Sequence, residues 1–138
     1  MVAGMLLLWA GCSSDYSDQG IAQVTFPDKV LNLSLPEYQD LNTKGFKYIG
    51  GGVRGIIIVK VQELQYHAYE RNCTFRPEEP SATVEVHSSL LYMEDPVCGS
   101  QFRLSDGEPT RAPASRPLRQ YRTTYDGMYL TITDEIAN

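Results

Sequence analysis

From Ile21 onward the apolar residues of this chain recur mostly with a period of two, and turn-forming residues interrupt them every few positions. That pattern allows half-buried strands and leaves little room for helix. Val30-Leu31-Asn32-Leu33-Ser34-Leu35 alternates, with Leu31, Leu33 and Leu35 on one face, until Pro36 stops it. Arg54-Gly55-Ile56-Ile57-Ile58-Val59-Lys60-Val61 is a β-branched run too short for a helix and suited to a central strand. Tyr66 to Glu70 reads as another strand. Residues 82–86 and 90–93 flank His87-Ser88-Ser89 as a hairpin. Residues 118–125 and 128–133 flank Asp126-Gly127, the strongest short hairpin signal, and a type I′ turn is expected there. Pro36 to Leu41 has room for one helical turn. The body therefore reads as one all-β domain, residues 21–138, of about ten short strands.

Charge and length exclude several functions. With 12 Lys+Arg against 17 Asp+Glu the formal net charge is −5, the wrong sign for a protein that neutralises phosphates. Nucleic acid is not an expected partner. Five arginines, Arg103, Arg111, Arg116, Arg119 and Arg122, stand against Asp106 and Glu108 in one stretch. The solvated face of a loop and strand accounts for them better than a docking patch. Gly50-Gly51-Gly52-Val53-Arg54-Gly55 satisfies the dinucleotide fingerprint literally, but strand residues follow it. The fingerprint needs a helix N-terminus for the pyrophosphate, so a connection between strands is the better reading. His67 and His87 have no partner at a catalytic spacing, and an enzyme is not expected.

The N-terminus carries an address. Met1 to Gly11 is uncharged around the run Met5-Leu6-Leu7-Leu8-Trp9, and Ala10-Gly11-Cys12 follows. That is a secretory pattern, and it resembles the lipobox of bacterial lipoproteins, with Trp9 where Leu is usual. The resemblance implies that residues 1–11 are a signal peptide and that Cys12 is lipidated. Residues 12–20 are then a polar tether and the chain resides in the bacterial cell envelope. No Lys or Arg precedes the apolar run, so the true start is expected upstream. The expected partners are the membrane, through the lipid, and an envelope protein.

A second resemblance runs through residues 46–133. Asp95-Pro96-Val97-Cys98-Gly99-Ser100-Gln101-Phe102 is followed by Asp106-Gly107-Glu108-Pro109 and by Ala112-Pro113-Ala114-Ser115-Arg116-Pro117-Leu118. Upstream stands Cys73-Thr74-Phe75. In order and content these segments resemble the Rieske [2Fe–2S] domain, which reads C-x-H in one loop and C-P-x-H-G-S-x-F in the next. The resemblance implies a Rieske-like antiparallel β-sandwich with a small subdomain whose two loops grip the cluster.

A Rieske cluster takes two Cys on one iron and two His on the other. Position by position, Cys73 keeps the first ligand and Phe75 replaces the second. Asp95 replaces the third, and Cys98 stands in place of the fourth. Ser100, Phe102, Pro113 and Pro117 keep the scaffold, and Ala112 stands where the family has Gly. The implied reading is a retained fold with a lost cofactor, serving as an interaction or structural module. No metal is expected. A structural zinc site, which wants four N or S ligands, is not written in these loops. The alternative is an electron-transfer protein with an unusual [2Fe–2S] site on Cys73, Asp95 and Cys98. With Cys12 consumed by lipid, Cys73 and Cys98 remain as an even pair, and the loss of the cluster implies that they form a disulfide.

Overall fold

The computed structural model describes residues 20–138. The expected signal peptide, the expected lipidation site Cys12 and nearly all of the expected 12–20 tether lie outside the described residues.

Among the described residues ten strands form two antiparallel sheets. The larger sheet is built from β1 (Lys29–Asn32), β2 (Phe46–Ile49), β3 (Ile56–Gln62), β4 (Gln65–Glu70), β9 (Gln120–Tyr125) and β10 (Tyr129–Ile136). Its order is β1-β10-β9-β4-β3-β2. The smaller sheet has β5 (Glu85–Val86), β6 (Met93–Glu94), β7 (Gln101–Phe102) and β8 (Pro109–Arg111) in sequence order. Between β1 and β2 the chain makes a 3-10 turn at Pro36–Tyr38 and one helical turn, α1, at Asp40–Thr43. Among the described residues no helix is long and apolar enough to cross a membrane.

The Ile-Ile-Ile-Val run of β3 is buried on both faces, and its period of two divides it between two cores. Ile57 and Val59 join Tyr69, Cys73, Val84, Met93, Phe102 and Leu118 in the core beneath the small sheet. Ile56 and Ile58 join Leu33, Leu41, Tyr66, Ala68, Tyr121, Leu130 and Ile132 on the opposite face. One strand thus serves two hydrophobic layers, which is why it carries no polar alternate before Lys60.

Several local expectations are corrected. The alternating segment at 30–35 stops as strand at Asn32, because the Asn32 side chain accepts the Ser34 N–H at 3.0 Å and turns the chain. Leu35 is left exposed rather than sharing a buried face. The 82–93 hairpin forms, but its ladder is only Glu85↔Glu94 and Val86↔Met93. At Asp126-Gly127 only Gly127 takes a positive φ, +103°, so the turn is not type I′. Asp126 Oδ1 instead accepts the N–H groups of Met128 at 2.9 Å and Tyr129 at 2.7 Å. Those bonds hold the Asp126 carboxyl below its ordinary range.

Candidate functional site

Two loops of the small-sheet region meet at one end of the first core. The first follows β4. Cys73 donates its N–H to the Ala82 carbonyl and Val84 donates to the Arg71 carbonyl, so residues 74–81 bulge out as a closed loop. The second loop, 95–100, links β6 to β7. It is closed by Asp95 N–H to the Ser100 carbonyl and Gly99 N–H to the Asp95 carbonyl, with Gly99 at φ +82°. Gly99 takes the left-handed conformation that side-chain-bearing residues avoid.

A third segment ties the two together. Ser100 Oγ accepts the Ala114 N–H at 2.9 Å, and Thr74 Oγ1 donates to the Arg116 carbonyl at 2.8 Å. Pro113 lines the same cleft as Phe75, Asp95 and Cys98. Phe102 is fully buried in the core below. Ser100 and Pro113 thus lie in the loop segments around the cleft, and Phe102 lies in the core beneath them.

The candidate ligands converge. The ligand atoms of Cys73, Asp95 and Cys98 all lie within 4.8 Å of one another. Cys73 and Asp95 are buried, and Cys98 is partly exposed. Burial pushes the Cys73 thiol up to about 12; the Phe75 N–H opposes that, and the neighbouring Cys98 and Asp95 reinforce it. Asp95 Oδ1 accepts the N–H groups of Val97 at 2.9 Å and Cys98 at 3.4 Å. Beside the trio opens a cleft of about 390 Å³, walled by Phe75, Arg76, Ala82, Val97 and Pro113. The Arg76 guanidinium lies 5.2 Å over the Phe75 ring.

The expected disulfide is not formed, and Cys73 and Cys98 are free thiols. Each sulfur faces another polar group. Cys98 Sγ lies 3.0 Å from Ser100 Oγ, and a carboxylate oxygen of Asp95 stands within 4.8 Å of the Cys73 sulfur.

Neither histidine belongs to this site. His67 lies in β4, with Nδ1 3.1 Å from the Tyr69 hydroxyl. His87 stacks on Tyr92 beyond β5. The arginine-rich stretch is dispersed rather than a patch. Arg103 pairs with Asp106 and Arg122 with Glu135, while Arg119 is buried and donates to the carbonyls of Ile21 and Ala22.

Two residues that the sequence reading passed over brace the site. The buried Glu70 carboxylate accepts the N–H groups of Val53 (2.7 Å), Arg54 (2.9 Å) and Asn72 (3.0 Å) and the Tyr121 hydroxyl (2.7 Å). The glycine-rich loop thus wraps an anion of its own chain instead of a phosphate. A Cβ on Gly52 would collide with Glu70 Oε2, so this loop needs glycine at its closest approach. Arg54, aimed by that loop, donates to the carbonyls of Pro77, Glu79 and Pro80 and clamps the 74–81 loop. The signal was Gly50 to Gly55 itself, once its anion is sought within the chain.

No family model and no curated protein matches the sequence. Solved structures do. The plasma membrane Rieske protein PetC3 of the cyanobacterium Synechocystis PCC 6803 superposes with a TM-score of 0.57 at 22% identity, over 68% of this chain and 91% of that one. A chain from the complex of reduced oxygenase and oxidized ferredoxin in carbazole 1,9a-dioxygenase gives 0.55 at 16% identity, over 79% and 96%. The ferredoxin of carbazole 1,9a-dioxygenase from Nocardioides aromaticivorans IC177 gives 0.50 at 18% identity, over 78% and 96%. With the sheet order, the paired loops and the cleft between them, these likenesses establish that the chain has a Rieske-like fold.

Proposed function

We propose that this chain is an envelope-tethered Rieske-like domain that works without a [2Fe–2S] cluster, as a binding module rather than an electron carrier. The observation that carries this reading is the donor set at the four ligand positions. Phe75 offers no lone pair at one of them, and neither histidine of the chain lies near. The three remaining donors are also drawn together, all within 4.8 Å. A cluster holds its two ligand pairs on opposite irons, which keeps donors of different pairs further apart than donors on one metal. Cys98 belongs to the second pair yet stays close to both members of the first. Three donors in one tight group do not fit a four-ligand cluster.

Tethering rests on the sequence, through the apolar run before Ala10-Gly11-Cys12. Multiple acyl chains on Cys12 would anchor the domain firmly, whereas a single chain gives only marginal binding. The cleft of about 390 Å³ is of a size that suits a small ligand or a segment of an envelope partner.

Iron and acid-labile sulfide analysis of anaerobically purified protein, before and after reconstitution, tests the reading. The expected result is a colourless protein with less than one iron per chain. Two irons per chain with a reversible redox couple would overturn it in favour of electron transfer.

A further inference from the structure

The trio Cys73, Asp95 and Cys98 has a geometry of its own once the cluster is set aside. Donors bound to one tetrahedral ion at about 2.0–2.3 Å stand roughly 3.5–3.8 Å from one another. Three ligand atoms already within 4.8 Å reach that spacing by side-chain shifts of about an ångström.

Proximity is not the only observation. Two of the three donors are held by a backbone N–H of their own loop: the Val97 N–H reaches Asp95 Oδ1 at 2.9 Å, and the Ser100 N–H lies 3.5 Å from the Cys98 sulfur. The Ser100 hydroxyl, 3.0 Å from that sulfur, adds a second polar contact. Such contacts fix the orientation of the ligand atoms, as the outer-shell groups of metal sites do. Two of the three donors are buried while Cys98 borders the cleft, so the pocket is both shielded and reachable.

Resting on the cluster-free reading, we propose that Cys73, Asp95 and Cys98 form a mononuclear site for a thiophilic divalent cation of the zinc class, with one coordination position open to the cleft. The donor chemistry selects the ion. Hard cations such as calcium and magnesium take six or more oxygen ligands, and this site offers one carboxylate. Zinc accepts sulfur and carboxylate donors in a tetrahedron, and three protein ligands with a free position is its exchangeable form; structural sites close with four. Phe75 occupies the wall where a fourth protein donor would stand. The open position takes water, or a donor atom from whatever enters the cleft.

The test uses the purified full-length chain, kept reduced and stripped with a chelator. It is titrated with Zn²⁺ against a chromophoric competitor, and separately with Co²⁺ alone. One equivalent of metal per chain is expected, with Co²⁺ giving thiolate charge-transfer absorption and tetrahedral d–d bands. Cys98→Ser is expected to weaken binding by more than about 100-fold, beyond what outer-shell changes cost. Asp95→Asn keeps an oxygen acceptor for the Val97 N–H, so it retains the turn; it is expected to weaken binding at least about tenfold. Near-ultraviolet circular dichroism establishes that each variant is folded. No saturable uptake, an octahedral cobalt spectrum, or parent-like binding by both folded variants would overturn the proposal. Absence of both zinc and iron would overturn it alone and leave the cluster-free domain standing. Two irons and two sulfides per chain would overturn both.

Discussion

The sulfur of Cys98 lies 3.0 Å from the hydroxyl of Ser100, and that hydroxyl accepts the Ala114 N–H at 2.9 Å. One buried serine therefore joins a candidate ligand to the segment that closes the cleft. Ser100→Ala leaves the Ala114 N–H without its acceptor at a fully buried position. Stranding a buried donor costs about 1–3 kcal/mol. A fall of that size in unfolding free energy, measured by urea denaturation, is the expected outcome. An unchanged midpoint would show that the serine does not join these segments.

Glu70 makes a larger claim on stability. Four donors converge on its carboxylate, three of them backbone N–H groups. Glu70→Gln keeps the shape but turns an NH₂ group toward a donor and removes the charge from every bond. Hydrogen bonds to charged groups are worth about 1.5–3 kcal/mol each, so a loss of at least about 2 kcal/mol is expected. Thermal denaturation checks it, and retention of the parent Tm would refute the anchoring role.

Arg54 acts locally. Its guanidinium holds the carbonyls of Pro77, Glu79 and Pro80, all in the first loop. In Arg54→Ala the amides of Glu79 and Ala82, bonded within that loop, are expected to exchange about tenfold faster, while those of β3 and β4 keep their rates. Uniform acceleration across the large sheet would instead make Arg54 a residue of global stability.

What could be read from the sequence follows the range of the interactions. Ile56 to Val59 announces a doubly buried strand because pleating acts residue by residue, and Asp126-Gly127 announces a hairpin for the same reason. The type of that turn was not legible, since it depends on whether the Asp126 carboxylate or a second positive φ satisfies the Met128 and Tyr129 amides. The positions of Cys73, Asp95 and Cys98 were legible only through the order of loop segments, and no local pattern places them within 4.8 Å. Glu70 was invisible as an anchor because its amide partners Val53 and Arg54 lie 17 and 16 residues away. The disulfide failed because an even cysteine count does not reveal what else surrounds each sulfur, the Ser100 hydroxyl at 3.0 Å from Cys98 and the Asp95 carboxylate within 4.8 Å of Cys73.

Alkaline pH is expected to unfold this domain. Burial raises the hydroxyls of Tyr69 and Tyr121 well above their ordinary 10.0, with the Glu70 carboxylate reinforcing the effect at Tyr121. Both are then protonated in the fold but ionise in the unfolded chain as pH passes 10. Their contribution is fully present below that point and declines above it, by up to about 1.4 kcal/mol per pH unit for each tyrosine. Urea midpoints taken between about pH 9 and pH 11 measure the decline. Tyr69→Phe is expected to flatten the slope, and an equal slope in that variant would exclude Tyr69 as a source.

Phe75 offers the sharpest test of the open coordination position. It lies two residues beyond Cys73 and lines the same cleft as Asp95 and Cys98. In the parent loaded with Co²⁺, azide is expected to shift the d–d bands, because an exogenous anion enters the position that no side chain fills. Phe75→His places an imidazole there, and neutral imidazole is a ready zinc and cobalt ligand. The variant is expected to bind zinc at least about tenfold more tightly and to lose the azide response. The substitution also replaces a large apolar ring at the edge of the core with a smaller polar one, so unfolding free energy is expected to fall in the metal-free variant and recover on adding zinc. Recovery without tighter binding cannot arise from a fourth ligand, because the same bond supplies both. An azide shift that persists in Phe75→His would place the open position elsewhere, away from the wall that Phe75 forms.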